Sequence, residues 1–294
     1  MKPGPFRYLA PASLQDAAAM LRAHADAKVL AGGQSLIPVL SMRLARPTHL
    51  VDLGGIPGLD RIEVTDAYVR VGAMVRHAQL LADEGAYAAL PLLRQALVNV
   101  AHPAIRNRGT TVGSIAHADA AGEMPSVLAI TDGVVEAVGP DGRREIAARD
   151  FFAGPLETTL AHDEIVEAVR FGRFPTGTRT AFRESARRHG DYALAGVAVA
   201  VTVENDRITA ARASFVSVTD VPGVVDLSSV LAGADPATAD WSVVDETVDA
   251  HLQPESDIHA SAQYRRMLAA ELTRRALAEA VAQPSTASAP GAHR

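Results

Sequence analysis

The chain has 294 residues, of which 48% are hydrophobic and 21% charged, with a mean hydropathy of +0.08 and a formal charge of −6 from 28 Lys and Arg against 34 Asp and Glu. The acidic balance and the absence of basic runs exclude nucleic acid and anionic membrane as natural partners, and no apolar stretch reaches spanning length. There is no cysteine, which removes disulfides, thiolate nucleophiles, iron–sulfur ligation and Cys-type zinc sites from this polypeptide.

The opening MKPGPFRYLAPAS lacks a signal-peptide apolar core, so the expected location is cytoplasmic. From Ser13 the pattern predicts a capped amphipathic helix, with Asp16 three residues on and Leu14, Ala17, Ala18 and Leu21 at helical spacing. KVLA (28–31) and THLVDL (48–53) read as short buried strands. RIEVTDAYVRVGA alternates on both sides of Thr65-Asp66 and predicts a hairpin. Two helices are expected over 76–84 and 90–99, followed by a long stretch, 101–130, dominated by small and polar residues and read as a functional loop. A hairpin around Pro140-Asp141-Gly142 and a strand EIVEAVRF come next. After Pro175-Thr176-Gly177 the character changes: TAFRES, GVAVAVTVEND and RITAARASFVSV predict an antiparallel set with a turn at Asn205-Asp206. A helix over 261–281 closes the chain, with Tyr264, Leu268, Leu272 and Leu277 as its inward stripe, and PSTASAPGAHR has the composition of a disordered end.

Two stretches carry chemistry. In VLAGGQSLIPVL, Gly32-Gly33 follows a strand and precedes a helix start, which frees main-chain N–H groups to approach phosphate oxygens, with Gln34 and Ser35 as further donors. Taken alone, the pair is more simply a tight turn, and neither the P-loop nor the G-x-G-x-x-G fingerprint is present. RGTTVGS repeats the pattern with Gly109, Gly113 and the hydroxyls of Thr110, Thr111 and Ser114. Two such loops suit a ligand with two phosphates and a long body, such as a dinucleotide. His117, Asp119 and Glu123 match no standard metal-ligand spacing and read as loop framework.

VLAGGQSLIPVLSMRLARPTHLVDL, IRNRGTTVGSIAHADAAGEMP and RRHGDYALAGVAV, in this order, resemble three signatures of the FAD-binding medium subunit of the molybdenum hydroxylases, the carbon monoxide dehydrogenase and xanthine dehydrogenase type. The resemblance implies an α+β chain. It has an FAD-binding fold of the vanillyl-alcohol-oxidase type over 1–175, built of two α/β subdomains (about 1–53 and 54–175). A small C-terminal domain with an antiparallel sheet and helices follows over 176–282, then a disordered tail, 283–294.

By the same likeness Leu30, Ala31, Gly32, Gly33, Gln34, Ser35, Leu36 and Ile37, with Thr110, Thr111, Val112, Gly113 and Ser114, hold the FAD pyrophosphate. Glu123 stands where a family carboxylate contacts the nucleotide part. Ile165 lies beside the flavin through its backbone, Arg183 matches a basic position near it, and Tyr192 is similar to a residue packed by the isoalloxazine. Val112 replaces a glycine common in the motif and predicts φ < 0 there.

No catalytic acid or base and no metal ligand is implied in this chain, because the flavin carries the chemistry. The expected partners are a large subunit with the molybdenum cofactor and a small subunit with 2Fe-2S clusters, as a dimer of heterotrimers that passes electrons through FAD to an external acceptor. The alternatives are a self-sufficient FAD-dependent oxidase and a scaffold that has lost FAD.

Overall fold

The computed structural model describes residues 2–283, so the expected disordered tail lies outside the described residues, apart from Gln283. The chain begins with β1 (Arg7–Leu9), α1 (Leu14–Ala23), β2 (Lys28–Leu30), α2 (Leu36–Ser41) and β3 (His49–Asp52). Both β1 and β2 pair in parallel with β3, which makes a three-stranded sheet in the order β1-β3-β2. Ser13 caps α1 by accepting from the Asp16 N–H at 3.1 Å, and Leu14, Ala17, Ala18 and Leu21 form its buried face.

Next come β4 (Ile62–Val64), β5 (Tyr68–Gly72), α3 (His77–Ala82), α4 (Glu84–Ala89), α5 (Pro91–Leu97), α6 (Pro103–Arg106), α7 (Thr111–His117) and α8 (Glu123–Ile130). They lead into β6 (Val134–Gly139), β7 (Gly142–Ala147), α9 (Ala148–Phe151), β8 (Phe152–Gly154), β9 (Glu157–Thr158) and β10 (Ile165–Gly172). Strands β4-β5-β10-β6-β7 form an antiparallel five-stranded sheet. Arg22 of α1 bonds Asp141 at 2.6 Å and Asp163 at 2.9 Å, tying the first sheet's layer to the second.

The last part holds β11 (Thr178–Ala186), β12 (Ala193–Glu204), β13 (Arg207–Val216), β14 (Val224–Asp226), α10 (Ser228–Leu231), α11 (Asp245–His251) and α12 (Ala262–Ala282). The four strands run antiparallel in sequence order. Asn205 (φ 50°) and Asp206 (φ 57°) are both left-handed, the requirement of the two-residue type I′ hairpin turn. Strand β12 is buried on both faces: Ala198 and Ala200 join the core of the first two sheets, whereas Val197, Val199 and Val201 pack in the core that contains α12.

Three expectations are corrected. Two helices over 76–99 become three, because Asp83 caps α4 by accepting from the Ala86 N–H at 2.7 Å and Pro91 restarts the chain at N1 of α5. The long loop over 101–130 is folded into α6, α7 and α8. Every residue of α8 from Met124 to Ile130 is buried, and a helix enclosed on all sides shows no polar period to read. The inward stripe of α12 holds at Leu268, Leu272 and Leu277 and fails at its first member. Tyr264 is 42% exposed, and the buried face is Arg265, Ala269, Leu272, Thr273, Ala276, Leu277 and Ala280, whose alanines let the helix approach β12.

Candidate functional site

The parallel sheet places the first glycine loop at the end of β2, beside the end of β3. Gly33 takes φ +71°, a conformation that leads the chain away from the strand and into α2. Gly32 is different. A Cβ there would lie 2.5 Å from the Arg108 carbonyl oxygen, 2.7 Å from Gly109 Cα and 2.8 Å from the Thr110 nitrogen. The two glycine-rich loops therefore touch, main chain to main chain, at this residue. Among the described residues the N–H groups of Gly32, Gly33, Gln34 and Ser35 meet no acceptor, so they remain available to a ligand oxygen.

The second loop is held from behind by residues 75–77. The His77 N–H donates to the Gly109 carbonyl at 2.9 Å and the Thr111 N–H to the Val75 carbonyl at 3.2 Å, while His77 Nδ1 lies 3.1 Å from Thr111 Oγ1. Thr110 caps α7, accepting from the Gly113 N–H at 3.1 Å. Gly113 is required beneath it, since a Cβ would sit 2.5 Å from Thr110 Oγ1. Val112 lies in α7 and is 2% exposed, so its φ is helical and its side chain serves the core. With Thr111 also fully buried and its N–H engaged by Val75, the main-chain N–H of Val112 is the one donor these two positions leave to a ligand.

The loops border a cavity of about 360 Å³ lined by Leu30, Ala31, Gly32, Gly33, Gln34 and Ile37, and also by Asp52, Gly54, Met74, Arg76 and Arg108. None of the last five is marked as a binding residue by the sequence. Arg108 adjoins Gly109 of the motif and was within reach of it; Arg76 and Asp52 carry no local signal. Asp52 accepts from the Gly54 N–H at 2.8 Å and from the Tyr8 hydroxyl.

From Thr110, the seven residues of α7 rise about 10 Å to a second cluster. Here Glu123 opens α8 and Tyr192, close enough to feel the charges of Asp119 and Glu123, stands 70% exposed, which excludes a core role for that ring; Ile165 is buried at the start of β10 beside Val138 of β6. Gly190 (φ +87°) presses this loop onto residues 101–102, where a Cβ would meet the His102 ring at 2.5 Å.

Arg183 does not join the cluster through a free charge: its guanidinium bonds Glu279 of α12 at 2.5 Å. Glu184, next along β11 and therefore on the opposite face, places a buried Oε2 with no hydrogen-bond partner. Burial, then the charge of Glu184, then that of Asp119, push the Glu123 carboxyl up to about 8; burial pushes Glu184 up to about 7. Among the described residues there is no group of three or more His, Cys, Asp or Glu that could hold a metal ion.

These shifts set a pH dependence for the flavin-free chain. The folded pKa of Glu123 exceeds its unfolded value, so the stability it contributes at acid pH is lost as pH rises from about 4.5 through about 8. Glu123→Gln should melt like wild type at pH 5 and higher than wild type at pH 9. Identical melting temperatures at pH 9 would contradict this placement of the carboxyl.

The site fits a flavin dinucleotide on its own features. Unpaired N–H groups and a close loop contact await an anionic centre, and a buried carboxyl oxygen without a partner lies at the other end. Comparison with known proteins agrees. Residues 4–173 match the family described as the FAD binding domain in molybdopterin dehydrogenase, and 180–280 the CO dehydrogenase flavoprotein C-terminal domain. The nicotine 6-hydroxylase medium subunit of Paenarthrobacter nicotinovorans is 44% identical over 96% of this chain and 100% of its own. The carbon monoxide dehydrogenase medium chain of Afipia carboxidovorans is 35% identical over 96% and 99%. The solved carbon monoxide dehydrogenase of Hydrogenophaga pseudoflava, in a form lacking the Mo-pyranopterin moiety, superposes with a TM-score of 0.91 at 33% identity over 96% of this chain and 99% of that one.

Proposed function

The chain belongs to the FAD-binding medium-subunit family of the molybdenum hydroxylases, and on that premise we propose how its residues hold and use the cofactor. It is the flavoprotein component of an oxidoreductase, taking electrons from iron–sulfur clusters of a partner and passing them from FAD to an acceptor. When bound, FAD supplies the electron-transfer chemistry, which no side chain of this protein provides.

The observation that carries the assignment of the site is the main-chain contact of the two loops at Gly32. Around it, residues 30–37 and 110–114 surround the pyrophosphate. The free N–H groups of Gly32 to Ser35 donate to its oxygens, and Thr110 and Gly113 keep the start of α7 in place beside them. Ile165, through its main chain, and Tyr192 would hold the flavin ring. Glu123, whose carboxyl burial pushes up to about 8 in the flavin-free chain, would hold the nucleotide body by a hydrogen bond. Arg183, fixed by Glu279, supports the strand that carries Glu184. Val112, which stands in place of a motif glycine, is a helical core residue and leaves the main-chain path of the motif intact.

The units 1–53, 54–175 and 176–282 are the domains of this reading. Its partners are a large subunit with the molybdenum cofactor and a small subunit with 2Fe-2S clusters, required because this chain has no cysteine to hold a cluster. We place the three chains in a dimer of heterotrimers, delivering electrons to an external acceptor, in the cytoplasm. No described helix is long and apolar enough to cross a membrane. Affinity purification of the tagged chain from its own cells should bring down one large chain containing molybdenum and one small chain containing iron. Recovery of the chain alone, with flavin and an oxidase activity of its own, would favour the self-sufficient enzyme.

A further inference from the structure

The cradle read from the sequence, residues 30–37 and 110–114, contains no positive side chain, yet a pyrophosphate diester brings two negative charges into a partly enclosed cavity. Main-chain N–H groups supply partial charges only. The cavity wall contains two full ones. Arg76 and Arg108 both line it, next to Gly32 and Gly33, and among the described residues neither guanidinium is within 4.0 Å of a carboxylate. Asp52 lines the same cavity but is engaged by Gly54 and Tyr8.

Arg76 is also held in position. Its main chain bridges Thr110 and its Nη1 donates to the Arg108 carbonyl, the same oxygen that a Cβ on Gly32 would strike. The side chain that supplies charge is thus fastened to the contact between the loops. A guanidinium matches phosphate oxygens with paired donors and loses little freedom when already fixed.

We propose that Arg76 and Arg108 are the charge-balancing residues of the pyrophosphate cavity. The proposal rests on the FAD reading above. Neither residue touches reacting atoms, so both are binding residues.

The test is titration of FAD into the flavin-free full-length chain, or into the flavin-depleted complex, at several salt concentrations, for wild type, Arg76→Gln, Arg108→Gln, the double Gln variant and the double Lys variant. Each single Gln substitution should weaken binding about tenfold, as for loss of a hydrogen bond to a charged group. The double Gln variant should also lose most of the salt dependence, and the double Lys variant should keep it. Circular dichroism confirms folding; if a Gln variant does not fold, the Lys pair decides, since it must retain the wild-type salt slope. Wild-type affinity and salt slope in the double Gln variant, or a flattened slope in the Lys pair, would overturn the proposal and leave the FAD reading standing. A wild-type chain that takes up no FAD, alone or in its complex, would overturn both.

Discussion

Gly32→Val should yield a folded chain that no longer retains FAD. The added Cβ would sit 2.5–2.8 Å from three main-chain atoms of residues 108–110, and main chain cannot turn aside as a flexible side chain can. The loops must separate, which withdraws one set of donors from the ligand. Loss of two hydrogen bonds to charged oxygens, at roughly 1.5–3 kcal/mol each, lowers affinity about a hundredfold or more. The effect on folding is smaller, because Gly32 lies at the rim of the core and not within it.

Gly33→Val acts by another route. There a Cβ meets only the side chains of Ile37 and Leu30, at 3.2 and 3.3 Å, and the cost is the φ of +71°, about 1–2 kcal/mol for an L-residue. Gly33→Asn should therefore be tolerated better than Gly33→Val, whereas no substitution at Gly32 escapes the contact. A Gly32→Val chain that copurifies with a full complement of FAD would show that the loops do not need to touch.

The second large effect is acid sensitivity from His77. The ring is 4% exposed; burial, reinforced by the charge of Arg106, pushes its pKa from 6.5 down to about 4. Below about pH 6.5 the unfolded chain binds a proton that the folded chain refuses, so stability falls as pH drops from 6.5 towards 4. The full loss is about 3 kcal/mol. Its location gives it functional weight, since His77 fixes Gly109 through its main chain and Thr111 through its ring.

Denaturant unfolding at pH 7.5 and pH 4.5 measures the effect when wild type is compared with His77→Gln, which has no titrating ring. Glu123 and Glu184 shift in the opposite direction, and the comparison cancels them. Wild type should lose about 2.5 kcal/mol more than the variant between the two pH values. Equal losses would mean that the ring is reached by water or paired in the folded chain.

Much of the architecture could be read from residue order because local chemistry and final position agreed. Ser13 and Asp16 marked a helix start that the structure uses. Asn205-Asp206 made the one type of turn that its hairpin admits, and the interruption at Gly32-Gly33 lies where β2 ends. What escaped did so for physical reasons. Helix α8 is surrounded by core on all sides and has no period. Helix α12 turns Leu272 and Leu277 inward as their spacing indicates, but alanines complete that face, and Tyr264 at its start is the residue that misled the phase. Arg76 reaches the cavity from a segment 32 residues before Arg108, whose carbonyl it binds, and no spacing rule connects them. Glu184 was hidden by strand alternation: Arg183, the more conspicuous charge, projects towards α12, and its neighbour is the one that faces Glu123.

The most direct measurement is the visible absorption spectrum of the purified chain, and of its complex with partner subunits, after incubation with FAD and desalting. The account predicts flavin bands near one FAD per chain, lost in Gly32→Val. A colourless wild-type protein in both forms would contradict it.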